Sequence, residues 1–225
     1  MLGAEAAAWW GVVGFGIYHG LNPGMGWPLA VANGLSARRD SAVFATVLPL
    51  GIGHLLAMAV VLMPFTLLAA YVEWSRALRI VAGLLVLAFG VLRLARPRHP
   101  RFLARVPPTR LAWWSFLMAT AHGAGLMLVP IALGLCATDA SEHGHVAMGT
   151  SVTIALLMAL VHTSVMIACG LALAWAVYRW LGLGVLTRGW LNLETVWALS
   201  LVLTGVVAAG LAWMSPHELG SPSAR

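Results

Sequence analysis

Lysine is missing from this 225-residue chain, so all 13 basic residues are arginine. Acids are scarce too, numbering seven, and charged residues of both signs make up only 9%. A soluble globular domain carries roughly 25%, and this sequence therefore lacks the polar surface that a water-exposed fold needs. Two cysteines, Cys136 and Cys169, exclude a disulfide framework and a CxxC redox motif. The opening MLGAEAAAWWG has no basic stretch of the signal-peptide kind. The first apolar run is therefore expected to stay in the chain. Apart from Glu194, no carboxylate falls inside an apolar segment. Hard cations such as Mg²⁺ and Ca²⁺, which need several oxygen ligands, are poorly served.

What is present is apolar. Hydrophobic residues make up 61% of the chain and the mean hydropathy is +0.90. Six segments, near 8–34, 43–70, 76–95, 111–136, 148–177 and 191–214, are long enough for a ~30 Å hydrocarbon core, which takes about 20 residues. The reading is an all-α polytopic membrane protein. Ten arginines fall after segments one, three and five: Arg38, Arg39, Arg93, Arg96, Arg98, Arg101, Arg105, Arg110, Arg179 and Arg188. By the positive-inside rule these loops face the cytoplasm, which puts both termini outside a bacterial-type inner membrane. The arginine excess thus marks topology and contact with the lipid bilayer, not a nucleic-acid partner. Tryptophans near the span ends, such as Trp9, Trp10, Trp113, Trp114 and Trp180, suit an aromatic belt.

The Arg/Pro-rich stretch 96–110 divides the chain into a first unit, 1–95, and a second, 111–214, followed by a short polar tail, 215–225. Each unit holds three segments, so the second enters the membrane inverted. The units also echo each other. His19-Gly20, Met25 and Pro28 in segment one correspond to His122-Gly123, Met127 and Pro130 in segment four. His54 and Met58 in segment two correspond to His162 and Met166 in segment five. Inverted repeats with broken helices meeting near the midplane are the mark of secondary transporters. The expected fold is a six-helix, 3+3 inverted repeat with helices one and four broken.

Asn22-Pro23-Gly24 interrupts the first segment, since proline removes a backbone donor and glycine admits unusual φ. Gly123 and Gly125 are the corresponding gating candidates in segment four. The four histidines, His19, His54, His122 and His162, lie near the centres of their segments and so share one depth. Imidazole suits Zn, Cu, Fe and Ni, while the thioethers of Met25, Met58, Met127 and Met166 select softer ions. The i,i+4 spacing of His54/Met58 and His162/Met166 puts each pair on one helix face. A lone intramembrane histidine serves as well as an interhelical hydrogen-bond donor, and methionine commonly fills core gaps. Four histidines at matched positions favour a site. Cys169 follows His162 by seven residues and is a further soft-ligand candidate. Glu194 is a candidate relay. His143 and His145, with Asp139 and Glu142, are candidates for recruiting cations at the outer mouth.

The string His19-Gly20-Leu21-Asn22-Pro23-Gly24-Met25 resembles the HGLDPDH/HAxDADH motif of nickel/cobalt permeases and their urease-accessory-like relatives. Gly53-His54 and Val161-His162-Thr163-Ser164-Val165 resemble that family's LGHSTVV motif, and the layout resembles the wider lysine-exporter-type superfamily. The resemblance implies metal transport and carries metal-contacting roles to His19, His54 and His162. Where the family has two aspartates and a histidine, this chain has Asn22, Gly24 and Met25, a change toward softer ligands. The leading expectation is a transporter for a copper, nickel, cobalt or zinc ion, with a homo-oligomer left open as its assembly. Three alternatives stay open: a bis-histidine haem cytochrome, an intramembrane metalloenzyme, and an exporter of a small organic solute.

Overall fold

A computed structural model describes residues 2–71, 75–95, 106–138, 144–181 and 193–214. These residues form α-helices, short helical turns and connecting segments, with no strand among them. In chain order the helices are α1 (Leu2–Leu21), α2 (Trp27–Ala37), α3 (Asp40–Tyr71), α4 (Ser75–Ala95), α5 (Leu111–His122), α6 (Ala124–Thr138), α7 (Gly144–Ala176) and α8 (Leu193–Met214). A π-helical turn, Val177–Leu181, extends α7.

Two stretches are long and apolar enough to cross a membrane as single helices, Asp40–Leu67 in α3 and Ser151–Trp180 in α7. A third candidate is the bent pair α5–α6, whose axes meet at 64°. The outward surface matches that environment. On α3, Phe44, Leu48, Ile52, Leu56 and Val60 are all exposed, spaced by four so that they form one stripe. Val43, Leu50, His54, Ala57 and Met58 on the same helix are buried. Leu199, Leu203, Val206 and Leu211 are exposed on α8. A soluble monomer rarely exposes apolar surface on this scale, and the protein is accordingly membrane-associated.

The helices pair in a regular way. α3 packs along α7, and α4 along α8; α1 packs on α7, and α5 on α3. Where α4 meets α8 the backbones come close, with Gly83 against Ala209 and Gly205 against Leu87. Between α3 and α5, the Ser115 hydroxyl donates to the Leu50 carbonyl at 2.6 Å. The Asn33 amide donates to the Thr46 hydroxyl at 3.1 Å, tying α2 to α3, and Thr46 in turn donates to the Ala42 carbonyl at 2.7 Å. Such bonds offset the cost of placing these polar side chains in an apolar interior.

The predicted break in the first segment is present and its backbone is accounted for. α1 stops at Leu21, and Pro23–Met25 form a single 3₁₀ turn. The Asn22 side chain caps it by accepting from the Gly24 N–H at 2.9 Å. Gly26, at φ +102°, then takes the left-handed turn that starts α2, a conformation glycine adopts without steric cost. The Trp27 indole N–H donates to the Leu21 carbonyl at 3.2 Å. Asn22, Met25 and Gly26 amides close onto the carbonyls of His19, Asn22 and Pro23. The second break is a one-residue hinge: Gly123 sits at φ +72° between α5 and α6. Gly125 lies inside α6, where a Cβ would meet Val61 of α3 at 2.6 Å.

Candidate functional site

α1 ends two residues after His19, and α5 ends on His122 itself. Both histidines therefore occupy the last turn of a half-helix that stops inside the fold. The aligned peptide dipoles give a helix C-terminus partial negative charge, which favours a cation there without a carboxylate. α3 and α7 run unbroken past these ends and contribute His54 and His162.

All four imidazoles are buried, and three of them touch. The ring centres of His19 and His162 are 4.7 Å apart, those of His19 and His54 5.7 Å, and those of His54 and His162 5.5 Å. His54 and His162 lie nearly parallel, at 16°, while His19 meets them edge-on at 70° and 79°. Three imidazoles sharing one ion, with metal–nitrogen bonds of about 2.0–2.1 Å, would hold their ring centres about 5 Å apart. The observed spacing suits such a set, though the ring planes do not. Among the described residues, no group of three or more His, Cys, Asp or Glu side chains is preformed as a metal-ligand set.

The tautomers follow from the hydrogen bonds. His19 Nδ1 lies 2.9 Å from the Phe15 carbonyl and His122 Nδ1 lies 2.8 Å from that of Met118. His162 Nδ1 faces the Val12 carbonyl at 3.4 Å, reaching across from α7 to α1. A carbonyl only accepts, so each Nδ1 carries the proton and Nε2 keeps the lone pair. Histidines that ligate metals characteristically donate their other N–H to a backbone carbonyl in this manner. The Nε2 atoms of His54 and His162 are buried with no hydrogen-bond partner, and so is Oγ1 of Thr163, the next residue of α7. An orphaned buried polar atom costs about 1–3 kcal/mol, and each of these is free to accept or donate to a ligand.

His122 stands at the first break. A Cβ on Gly24 would lie 3.3 Å from His122 Nε2 and 3.2 Å from Asn22 Oδ1, so a larger residue there would press on that imidazole by a few tenths of an ångström. The methionines divide. Met25 and Met166 line a cavity of about 20 Å³ with Gly20, Trp27, Leu50 and Gly170, room for one water or ion. Met58 packs in the apolar cluster of α3, α6 and α7 with Leu62, Leu128 and Met158. Met127 packs with Val86 and Leu201. Cys169 is a half-buried free thiol one turn from Met166, and a Cβ on Gly20 would come within 2.7 Å of its Cβ.

His145 and Glu194 stand in the first turns of α7 and α8, and their side chains, with Asp139, Glu142 and His143, lie outside the described residues. Sequence reasoning assigned no role to Thr163 or Trp27. Thr163 adjoins His162 and was legible as a polar residue in an apolar helix; nothing in the sequence pointed to Trp27 as the donor that closes the break. No protein-family model, curated protein or solved structure matches the chain.

Proposed function

We propose that this protein is an integral membrane transporter for a soft or borderline transition-metal ion, held part-way across the bilayer by His19, His54 and His162. The observation that carries the reading is the trio of touching, buried imidazoles, two of which keep an unpartnered Nε2. Neutral imidazoles are metal ligands, and the ring spacing of His19, His54 and His162 suits three ligands that share one ion. The similarity of the His19–Met25 string to nickel/cobalt permeases supports the same class.

The transporter carries six crossings as a 3+3 inverted repeat. α1 with α2 forms the first crossing and α5 with α6 the fourth. α4 and α8, at 21 and 22 residues, reach about 32 Å at 1.5 Å per residue, which suffices for a ~30 Å core. Exchanging the two halves turns the α1–α7 contact into the α5–α3 contact and maps α3–α7 and α4–α8 onto themselves. His54 and His162 then exchange places. Both termini face outward, and the half-helices at the two breaks are the moving parts of alternating access.

A haem would need a slot for a porphyrin beside these histidines. The rings of His19, His54 and His162 instead stand against one another, with centres 4.7–5.7 Å apart, which favours one shared ion. The test is direct titration of the purified protein with Cu(I), Ni²⁺, Co²⁺ and Zn²⁺, together with a visible spectrum. Stoichiometric binding of at least one ion, lost in His54→Ala plus His162→Ala, is the expected result. Absence of binding by all four ions, or a Soret band from bound haem, would overturn it.

A further inference from the structure

A second polar feature lies away from the histidines, at the arginine-rich end of the bundle. Arg38, Tyr178, Arg179 and Leu35 line an open cleft of about 280 Å³. Two irregular backbone features deliver its arginines. Arg38 caps the C-terminus of α2 in the left-handed conformation, φ 50°, the one non-glycine residue with positive φ among the described residues. Arg179 belongs to the π-helical turn Val177–Leu181. Non-glycine residues at positive φ are uncommon, and single π turns occur frequently at functional sites. Here both present a guanidinium to the same cleft.

The electrostatics are one-sided. Arg38 and Arg179 are exposed, as is Arg39 next to Arg38. The Asp40 carboxylate is occupied by the Tyr178 hydroxyl, so it offsets part of the charge and holds the tyrosine at the cleft wall. Trp175 and Trp180, exposed and in edge-to-face contact at 5.6 Å, flank Arg179. Aromatic residues of this kind sit at the headgroup level of a bilayer. A pair of forked cations at that depth matches the chemistry of a phosphate group.

We infer that the cleft between Arg38, Tyr178 and Arg179 binds the phosphate of an anionic phospholipid headgroup. The inference is independent of the metal reading. It places a lipid where the α2 end meets the α7 end, so the bound headgroup bridges the first broken segment to the helix carrying His162.

The test uses full-length protein in detergent, titrated with phosphatidylglycerol, phosphatidylcholine or inorganic phosphate and read by native mass spectrometry. Three proteins are compared: wild type, Arg38→Gln plus Arg179→Gln, and Arg110→Gln as an exposed arginine elsewhere. A basic residue near an anionic surface contributes about a fivefold gain in binding, so the double variant should lose about 25-fold for phosphatidylglycerol. The Arg110→Gln protein should match wild type, and phosphatidylcholine should bind weakly to all three. Equal phosphatidylglycerol binding by wild type and double variant would overturn the site. Equal preference for phosphatidylcholine would overturn the charge argument. Arginine-dependent binding of inorganic phosphate without the lipid would overturn the lipid assignment in favour of a free anion. Thermal unfolding of the double variant at the wild-type temperature confirms that a loss reflects the cleft.

Discussion

Replacing Gly20 by alanine tests whether the contact of α1 with α7 sets the histidine geometry. A Cβ at Gly20 would lie 2.5 Å from the Met166 carbonyl oxygen, 2.7 Å from Cys169 Cβ and 3.1 Å from the Gly170 nitrogen. Ordinary carbon contacts fall near 3.5–4.0 Å. Two of the three obstructing atoms are backbone, which no rotamer change can move. Relief therefore requires α1 to withdraw from α7 by about 1 Å, with an overpacking cost of about 1–3 kcal/mol. His19 is the preceding residue, and its 4.7 Å spacing to His162 should widen by a similar amount. Ligand distances in metal sites hold to about 0.2 Å, so metal affinity should fall at least tenfold. Gly14→Ala is the matched control on the same helix, exposed and with nothing within 4 Å of the added Cβ. It should unfold no earlier than wild type, because alanine is favoured over glycine in helices by about 1 kcal/mol, and should bind metal normally. The assay is thermal unfolding in detergent, followed by tryptophan fluorescence, beside a metal-binding isotherm. If Gly20→Ala matches Gly14→Ala in both, the α1–α7 contact does not set the site.

Three further outcomes are expected. Met166→Leu should weaken Ag(I) binding severalfold in a competition assay, because Met166 lines the small cavity. Met58→Leu, a volume-conserving swap in an apolar cluster, should leave binding unchanged at a stability cost below about 1.5 kcal/mol; equal losses in the two would remove the distinction between them. Ser115→Ala deletes the 2.6 Å bond to the Leu50 carbonyl and should cost about 1 kcal/mol, read as a lower Tm. Gly123→Ala combines φ +72° with a Cβ 2.6 Å from the Phe89 ring, a strain of about 1–3 kcal/mol. Gly134→Ala, with nothing within 4 Å, should be neutral, and a Gly123→Ala protein equally stable to it would show that the hinge tolerates another geometry.

The helical fold and its breaks were legible because their causes are local. Asn22-Pro23-Gly24 removes a donor, supplies a cap and relaxes φ within three residues, so the interruption could be located to the residue. The second break was less so. Gly123 and Gly125 are equally glycine, and only the neighbouring helices decide that one hinges while the other packs against Val61. The histidines could be singled out because a polar residue at the centre of an apolar run has few explanations. Which of them meet is a tertiary fact: the helices bring His19, His54 and His162 into ring contact and place His122 at Gly24. The methionines show the limit most sharply. Met58 and Met166 both follow a histidine by four residues, yet one packs in an apolar cluster and the other lines a cavity. Helical spacing fixes a face but not what the face meets. The cleft at Arg38 and Arg179 was illegible for a related reason, since its residues are some 140 positions apart and the π turn that turns one of them outward has no local sequence signal.

The described donors around the proposed ion, three imidazoles and the ends of two half-helices, carry no formal charge. An ion passing through them would keep its whole charge as it moved. Each elementary charge crossing a membrane gains or loses about 2.3 kcal/mol per 100 mV, so a divalent ion would feel about 4.6 kcal/mol. With neutral ligands and no counter-ion beside them among the described residues, the flux becomes a current, and an inside-negative cell would draw the ion inward. Export through the same donors would need another ion moving the other way, or an energy source able to oppose that potential.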